Sequence, residues 1–303
     1  MPTPAYTSLD GPRITVDGLL KNPAVLPALL LEMSENEFIV DAVLRDGGIT
    51  QSGAVRYWES TPLYADSLPE IRAEGAEVPL VPTSVGTPRA AFAAERAFGI
   101  RVTDEMRRRQ LMDPVTRMLT QLQNTMVLAW DNAFYTAITT NASVQTLAVS
   151  NPWASSNATI RADIANGKFL VNNASITSGT GFSQYLGFQA DTLIINQTTE
   201  NTLFQSDAFS RVYLGDLASE NLEYTGVLPN QVMSLDVMRS RQLPVGTAII
   251  MQRGRCGAIT DELPMVATPL YRDEPRKSWR TDLQRSAAIS LDQPLAIAVL
   301  SGV

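Results

Sequence analysis

The longest helical pattern in this chain lies in the stretch RAFGIRVTDEMRRRQLMDPVTRMLTQLQNTMVLAWDNAFYTAITT, residues 96–140. The run Ala91–Val102, which overlaps its start, is compatible with either a strand or a helix. Thr103 then has the side chain of a helix N-cap. Asp104 and Glu105 follow in the first turn, where carboxylates meet the positive end of the helix dipole. The sequence therefore predicts that a helix begins at Thr103.

A longer helix is predicted after Asp113 and Pro114, because proline lacks the N–H that a helix interior needs and so restarts or kinks the helix. Apolar residues then follow at helical spacing to about Thr139, namely Val115, Met118, Leu119, Leu122, Met126, Ala129, Ala133 and Ala137. At 1.5 Å per residue this helix spans roughly 40 Å. Its apolar stripe predicts core packing against a sheet or a second helix.

Upstream of this helix, residues 51–98 have too few apolar side chains for a core of their own. Strand-like runs at Val55–Glu59 and Glu77–Val81 are separated by charged residues, glycines and prolines, the prolines of the region being Pro62, Pro69, Pro79, Pro82 and Pro88. A lone two-stranded hairpin is only marginally stable in water. We therefore predict a long arm whose missing stability comes from another subunit.

The other elements are predicted from periodicity and turn residues. Residues 1–18 form an extended arm or a tail, and a short amphipathic helix lies within Leu19–Leu44 and is regular after Pro27. Beyond residue 140 we predict helices at Thr159–Leu170 and Thr198–Phe204 and strands at Asp191–Asn196, Met233–Val237, Thr247–Gln252, Leu283–Leu291 and Leu295–Leu300. This combination of helices and strands predicts an α+β protein whose last strand belongs to a sheet.

Composition narrows the class of protein. The 303 residues are 45% hydrophobic and 18% charged, which is an ordinary globular composition. A formal net charge of −7 has the wrong sign for a protein that binds nucleic acid tightly through phosphates. No run approaches the roughly 20 apolar residues of a membrane helix, and the N-terminus lacks a signal-peptide layout, so we expect a cytoplasmic protein without a membrane partner. The single cysteine, Cys256, forms no internal disulfide and is predicted to be a small strand residue.

The absence of histidine excludes the most common general base and transition-metal ligand. We expect no catalytic residue, no cofactor and no metal, since no phosphate-binding or dinucleotide-binding glycine loop and no nucleophile elbow is present. The adjacent acids Asp261 and Glu262, like Asp273 and Glu274, point to opposite faces of a strand and do not share a cation. A carboxylate-based hydrolase stays an alternative, although no convincing pair of acids supports it.

The order of parts resembles that of the major capsid protein of tailed bacteriophages, with the Hong Kong 97-like fold. The resemblance is carried by RAFGIRVTDEM (Arg96–Met106) running into the helix 113–140, by DTLIIN (Asp191–Asn196) and by RSAAISLDQPLAIAVLSG (Arg285–Gly302). It covers nearly the whole chain and implies an N-arm at residues 1–46 and an E-loop hairpin at 47–90. A P-domain, formed by the spine helix and a long β-sheet, then comprises residues 91–140 and the closing strands 263–303, with an α/β A-domain at 141–262 between them.

The same resemblance implies the function and the partners. Copies of the chain self-assemble into pentamers and hexamers of an icosahedral shell around a double-stranded DNA genome, in the cytoplasm of a bacterial host. A separate scaffolding protein, a portal, a possible decoration protein and weak non-specific contact with packaged DNA are the implied partners. An encapsulin-type compartment that encloses cargo enzymes is the alternative within the same fold.

The prototype of this family locks its shell with an isopeptide bond between an E-loop lysine and a P-domain asparagine, promoted by a glutamate. No lysine lies between Asp41 and Ile100 in this sequence. Alignment on Pro294 puts the acceptor near Lys277 and the carboxylate near Gln284. We therefore expect a shell without this cross-link.

The contacts between subunits are expected at two groups of residues. The first is the basic cluster Arg107, Arg108 and Arg109, which is either a solvated helix face or a partner for the E-loop carboxylates Glu70, Glu74 and Glu77 of a neighbouring subunit. The second comprises the aromatic and basic residues Trp58, Lys277, Trp279 and Arg280. For Trp58 the alternative is a local cluster with Tyr57 or Tyr64, and for Trp279 it is ordinary packing within a sheet.

Overall fold

The computed structural model describes residues 38–69, 71–78, 80–81, 83–109, 112–155, 157–177, 183–205 and 231–303. The predicted tail at residues 1–18 and most of the predicted helix within 19–44 lie outside these residues. The part that is described begins with a short helix, α1 (Ile39–Val43), followed by strand β1 (Arg45–Ile49).

A two-stranded hairpin follows. Strand β2 (Ala54–Glu59) pairs antiparallel with β3 (Thr87–Phe92). The prediction of β2 is confirmed, but the prediction of a second strand at Glu77–Val81 is wrong, because the described residues of that run form no strand. Pro79 deprives the run of a backbone donor and Pro82 directly follows it, whereas every residue of Thr87–Phe92 except Pro88 has a backbone N–H.

The chain then enters strand β4 (Ala94–Thr103), which settles the ambiguity of this run in favour of a strand. Helix α2 (Asp104–Arg108) follows at once, and the Met106 N–H donates to Oγ1 of Thr103 at 3.3 Å, which confirms Thr103 as the N-cap. Helix α3 (Met112–Thr140) is the long helix. The prediction that the helix restarts near Pro114 is confirmed, since α2 ends at Arg108 and a separate helix, α3, begins at Met112.

The rest of the chain alternates short strands with helices. In chain order the remaining elements are β5 (Gln145–Ala148), α4 (Ile160–Asn172), β6 (Ser175–Thr177), β7 (Ser183–Tyr185), β8 (Thr192–Asn196), α5 (Gln197–Gln205), β9 (Gln231–Val232), β10 (Leu235–Ser240), β11 (Thr247–Met251), β12 (Ala258–Ala267), β13 (Tyr271–Asp273), the 3-10 turn η1 (Glu274–Arg276), β14 (Ser278–Ser290), η2 (Pro294–Ala296) and β15 (Ile297–Ser301). Both predicted helices and the strands at β8, β11, β14 and β15 are confirmed to within a few residues.

Two predictions in this region need correction. The strand predicted at Met233–Val237 begins later, at Leu235, because Met233 and Ser234 have φ angles of 52° and 63° and form the turn between β9 and β10. Cys256 lies between β11 and β12 rather than in a strand. It is fully buried, and burial raises the pKa of its thiol to about 12, so a reactive thiolate is disfavoured.

Five strands form the first large sheet, called sheet A below. Its long central strand β14 pairs antiparallel with β12 and β13 along one edge and with β4 along the other, and β1 adds in parallel to β12. Helix α3 contacts sheet A through β4. The second large sheet, called sheet B, has six strands in the order β5-β15-β11-β8-β10-β9.

The hydrophobic core runs continuously from α3 into sheet B. Trp130, Phe134 and Ile138 of α3 are buried, and every residue of β8 is buried. Helix α4 lies so close to sheet B that a Cβ on Gly167 would come within 2.7 Å of Ile250 Cδ1. Within the described residues, no helix is long and apolar enough to span a membrane.

Candidate intersubunit contact sites

The β2–β3 hairpin has two different faces, because side chains alternate along each strand. Its outer face carries three cross-strand pairs, Ala54 with Phe92, Arg56 with Ala90 and Trp58 with Pro88. Trp58 is 53% exposed and Phe92 is 75% exposed. Within the described part of the chain Trp58 makes no ring contact with Tyr57 or Tyr64. Apart from Arg56, the outer face is therefore an apolar surface that the described part of the chain leaves exposed.

The inner face of the hairpin is fixed to the body of the molecule. Arg89 Nε donates to Oε2 of the buried Glu59 at 2.6 Å. Burial raises the pKa of Glu59, but Arg89 together with the neighbouring Ser143 and Asn141 outweighs it and leaves this pKa below its ordinary value. The N–H of Ser60 donates to the Asp292 carbonyl at 2.8 Å. The root of the hairpin thus has a defined position.

The hairpin ends in a segment, residues 67–83, that we call the tip; residues 70, 79 and 82 are outside the described structure. Two contacts mark its base. Ser84 Oγ donates to Asp66 Oδ2 at 2.8 Å, and the buried Gln184 of β7 bonds the Tyr64 N–H at 3.2 Å and the Ala65 carbonyl at 3.0 Å. A cavity of about 420 Å³ separates the start of the tip from β7 and is lined mainly by Tyr64, Leu68, Pro69 and Tyr185.

Beyond its base the tip exposes apolar side chains. Ile71 and Leu80 are fully or almost fully exposed, at 103% and 96%, and Leu68 and Val78 are exposed by more than half. Glu74 and Glu77 are exposed and have no ion pair within the described residues, while Glu70 lies outside them. Exposed apolar surface of this extent marks an interaction site. The predicted arm without a core is therefore present, although its tip is a loop and not a strand.

The end of sheet A next to α2 holds the predicted residues Lys277, Trp279 and Arg280. The guanidinium of Arg272 bonds both oxygens of Asp104 at 2.6 and 2.7 Å and lies over the Trp279 ring, 5.5 Å from its centroid. The hydrogen bond with Asp104 raises the pKa of Arg272. Trp279 is half-buried in this packing, and its buried Nε1 has no hydrogen-bond partner among the described residues.

Lys277 and Arg280 differ in whether they pair with a carboxylate among the described residues. Lys277 is exposed and caps η1 in the left-handed region, with φ 44°. Arg280 Nε instead donates to Asp282 Oδ1 within the chain at 2.7 Å. Of these two cations, only the Lys277 ammonium therefore lacks a carboxylate partner among the described residues.

The basic cluster is partly neutralised within the chain. Arg109 pairs with Glu105 one helical turn earlier at 2.6 Å, as expected for a solvated helix face. Arg108 is exposed without an ion pair among the described residues, and the side chain of Arg107 is outside them. The structure therefore leaves one described arginine of the cluster available for another molecule.

A cluster that the sequence did not predict joins the N-terminal segment to sheet A, and we call it the Trp130 cluster: Phe38, Asp41, Arg96, Trp130, Asp261 and Arg285. The buried Arg285 bonds Asp41 through both terminal nitrogens at 2.8 and 2.9 Å and Asp261 through Nε at 3.0 Å. Arg96 lies directly opposite Arg285 in the strand register, and its guanidinium stacks 4.4 Å from the Trp130 centroid. The carboxylates and the indole offset the repulsion between the two arginines.

Asp131, next to Trp130, fixes α1 to α3. Its carboxylate is 3% exposed and accepts the backbone N–H groups of Ile39 and Val40. Burial, together with the nearby Asp41 charge, raises the pKa of Asp131 to about 7, although the two N–H groups act in the opposite direction. The hydrophobic stripe of α3 predicts that one face of this helix is buried. The stripe does not indicate that an acid such as Asp131 is buried as well.

The pair Asp261 and Glu262 points to opposite faces of a strand as predicted, whereas the prediction is wrong for Asp273 and Glu274, because Glu274 lies in η1 and not in a strand. Asp261 bonds Arg285, whereas Glu262 accepts a hydrogen bond from Ser286 Oγ at 2.8 Å on the other face of β12. No group of three or more potential metal ligands occurs among the described residues. Asp261 and Glu262 are thus engaged in contacts that join β12 to β14.

Solved structures with the same fold are assemblies and phage proteins. A virus-like particle protein from Pyrococcus furiosus superposes with a TM-score of 0.62 at 12% identity, over 91% of this chain and 98% of that one. A phage-related protein from Bordetella bronchiseptica RB50 gives 0.59 at 11% identity, over 91% and 96%. A protein of Mycobacterium phage Che8 gives 0.55 at 12% identity, over 100% and 97%. Among curated protein sequences none matches this chain.

These likenesses define the class: the molecule has the Hong Kong 97-like capsid fold that the resemblance implied. A family model described as phage capsid protein matches residues 86–299. The chain therefore belongs to the phage capsid protein family and is a subunit of a capsid shell. The resemblance to the major capsid protein of tailed phages is confirmed.

Proposed function

We propose that this chain is the major capsid subunit of a tailed phage, which self-assembles into pentamers and hexamers of an icosahedral shell around double-stranded DNA. Family membership supports the capsid role. The observation that carries the proposal beyond the family is the tip, whose apolar side chains extend into solvent from a hairpin that is firmly rooted. Such a segment is stable only where another copy covers it, as in a shell.

The domain assignment is part of this proposal. Residues 1–46 serve as the N-arm, 47–90 as the E-loop, and α3 with sheet A as the core of the P-domain. Sheet B with α4 and α5 corresponds to the A-domain. The boundary at residue 262 falls inside β12, and β15 of the closing segment pairs in sheet B with β11 and β5, so the two domains share strands at their junction.

The proposed partners follow from the same role. A separate scaffolding protein guides assembly, a portal occupies one vertex, and a decoration protein is a possible addition to the outer surface. Contact with packaged DNA is weak and non-specific, since a net charge of −7 disfavours tight phosphate binding. The subunit assembles in the bacterial host cytoplasm and resides in the virion.

A compartment of the encapsulin type is the second candidate. It is favoured by one specific observation, the similarity to a protein whose structure is described as a virus-like particle from Pyrococcus furiosus. The two roles differ in their contents, because a phage shell encloses a genome and a compartment encloses cargo enzymes. A hydrolase is not supported, since the matching family is one of capsid proteins.

Electron microscopy of the purified protein, made alone and with the scaffolding protein of its source, tests the proposal. We expect closed polyhedral particles, and particles from the native source should contain nuclease-protected double-stranded DNA. Particles that contain host enzymes in place of DNA would favour the compartment. A monodisperse monomer under all of these conditions would end the capsid proposal.

A further inference from the structure

Helix α3 has a buried side, which carries Trp130, and an exposed side opposite to it. The exposed positions recur every three or four residues and hold one arginine and otherwise uncharged polar residues: Arg117, Thr120, Gln121, Asn124, Thr125, Asn132, Thr136, Thr139 and Thr140. We call this set the polar face of α3. The only acid between Pro114 and Thr140 is Asp131, and it is buried. The polar face is therefore free of carboxylates along its whole length.

This lack of acids extends beyond the helix and contrasts with the net charge of −7 of the chain. Of the 31 acids, only Asp131 and Asp163 occur from Pro114 to Ala190, and both are buried. The same stretch has three cations, namely Arg117, Arg161 and Lys168. The negative charge of the protein is thus carried by the rest of the chain, and the surface of this stretch exposes no carboxylate.

Helix stability does not explain the composition of the polar face. Threonine and asparagine have lower helix propensities than glutamate, lysine or glutamine. Exposed helix positions commonly hold charged residues of opposite sign four positions apart, and α3 has no such pair on this face. The hydroxyls of Thr125, Thr136 and Thr139 donate to carbonyls four residues earlier, at 2.7, 2.7 and 2.9 Å. The composition therefore points to a requirement other than helix strength.

The polar face offers hydrogen-bond donors to another molecule. The side-chain amides of Gln121, Asn124 and Asn132 and the guanidinium of Arg117 make no hydrogen bond or ion pair with the described residues. Asparagine, glutamine and arginine side chains are among those that bond phosphate oxygens in complexes with DNA. At 1.5 Å per residue the face is about 35 Å long. It thus matches about one turn of a DNA duplex in length.

The same face is poorly suited to another protein. None of the large hydrophobic side chains that are exposed in the described structure belongs to α3. Interfaces between proteins depend on a buried apolar centre with aromatic anchors, which the β2–β3 hairpin offers with Trp58 and Phe92. A duplex needs only donors and the absence of carboxylates that would repel its phosphates. The polar face therefore fits a phosphate backbone better than a second copy or a scaffolding protein.

We propose that the polar face of α3 lines the inside of the shell and contacts the phosphate backbone of packaged DNA. This inference rests on the proposed phage shell and assigns its DNA contact to one face of one helix. Each contact is weak, because a single cation and three neutral amides release few counterions from DNA. Repeated in every subunit, the contact holds the outermost layer of duplex and still lets it slide during packaging.

The double variant Gln121→Glu with Asn124→Asp tests this contact. Both substitutions add a carboxylate with little change of shape at an exposed position, so the thermal midpoint should stay within about 2 °C of wild type. The yield of closed shells should be unchanged. In phage that carry the variant, the fraction of particles that hold DNA should fall severalfold, because the new carboxylates face phosphates. Density-gradient sedimentation separates filled from empty particles and measures this fraction.

Gln189→Glu with Asn201→Asp is the matched control, since it makes the same two kinds of substitution at exposed positions outside α3. It should hold DNA as wild type does. Equal filling of the two variants would overturn the proposed contact while the shell stands. A failure of the α3 variant alone to form shells would also overturn it, because the face would then bind a scaffolding protein or a second copy. If wild-type particles contain no DNA, the proposed function itself fails, and the two failures are thereby distinguished.

Discussion

At the scale of single residues, this subunit places its arginines in two different settings. Arg285, Arg272 and Arg280 are held by carboxylates of the same chain, and each joins parts that are distant in sequence or stabilises a strand end. Arg101 and Arg108 are exposed and lack such a partner among the described residues. Guanidinium groups suit bidentate pairing with carboxylates, within a chain or across an interface. The first group stabilises the monomer, and the second is available to neighbours.

Asp131 gives a prediction about pH. Its pKa is raised to about 7 from 3.8, so the folded chain holds a proton there that the unfolded chain has lost. The stability that this group contributes is present below about pH 4 and is lost as pH rises through 7. At roughly 1.4 kcal/mol per pKa unit, the loss is on the order of 2–4 kcal/mol.

The change Asp131→Asn removes this titration while keeping an oxygen for the N–H groups of Ile39 and Val40. We expect the gain of the variant over wild type in free energy of unfolding to be smaller at pH 5 than at pH 8, because the loss from Asp131 begins near pH 4 and is complete only above pH 7. Urea unfolding of both proteins at the two pH values measures this difference. A difference between them that does not change with pH would show that Asp131 does not titrate in this range.

At the scale of elements, the two faces of the β2–β3 hairpin are expected to differ in role. The inner face contributes to folding, and the outer face contributes to assembly. The inner face holds the Glu59–Arg89 pair and contacts β14, while the outer face shows Trp58 and Phe92 to solvent. A substitution on one face should therefore affect folding and one on the other should affect assembly.

The variant Trp58→Ala tests this division. Its thermal midpoint should stay within about 2 °C of wild type, because substitutions at exposed positions away from caps and buried groups change stability little. Particle yield should fall severalfold, since exposed aromatic residues dominate interface energetics. Glu59→Gln is the matched control on the inner face: it should lower the thermal midpoint by weakening the bond with Arg89. A loss of stability in Trp58→Ala equal to that in Glu59→Gln would contradict the division.

The elements also show what the sequence can and cannot predict. Helix α3 and the buried strand β8 were predictable, because a long 3.6-residue period and a continuous apolar run leave few alternatives. Strand β12 was missed, since Asp261, Glu262 and Pro264 interrupt its pattern. Its charges are satisfied by Arg285 and Ser286 on β14, which are distant in sequence. Strand β3 was misplaced for a similar reason, as its pairing with β2 depends on a partner that local sequence does not reveal.

At the scale of the whole molecule, the candidate sites were only partly predictable. Trp58 and the tip acids were identified because a segment with many prolines and little core needs a partner. The Trp130 cluster was not, since it joins Asp41, Trp130 and Arg285 from three distant parts of the chain.

The absence of a lysine from the hairpin and its tip leads to a prediction about the whole shell. The chain has lysines only at positions 21, 168 and 277, and none lies between Asp41 and Ile100. We expect, from alignment on Pro294, the acceptor of the prototype near Lys277 and its carboxylate near Gln284. We therefore expect that mature particles boiled in detergent run as a single band of the subunit mass on a denaturing gel. A ladder of covalent multimers would overturn this prediction.

The central claim is that the tip of each subunit is covered by another copy in a closed shell. A cryo-electron microscopy reconstruction of the particle, at a resolution that traces the main chain, tests it most directly. The account predicts that a neighbouring subunit covers residues 67–83, with Ile71 and Leu80 in contact with that neighbour. A shell in which every tip contacts only its own chain would contradict the account.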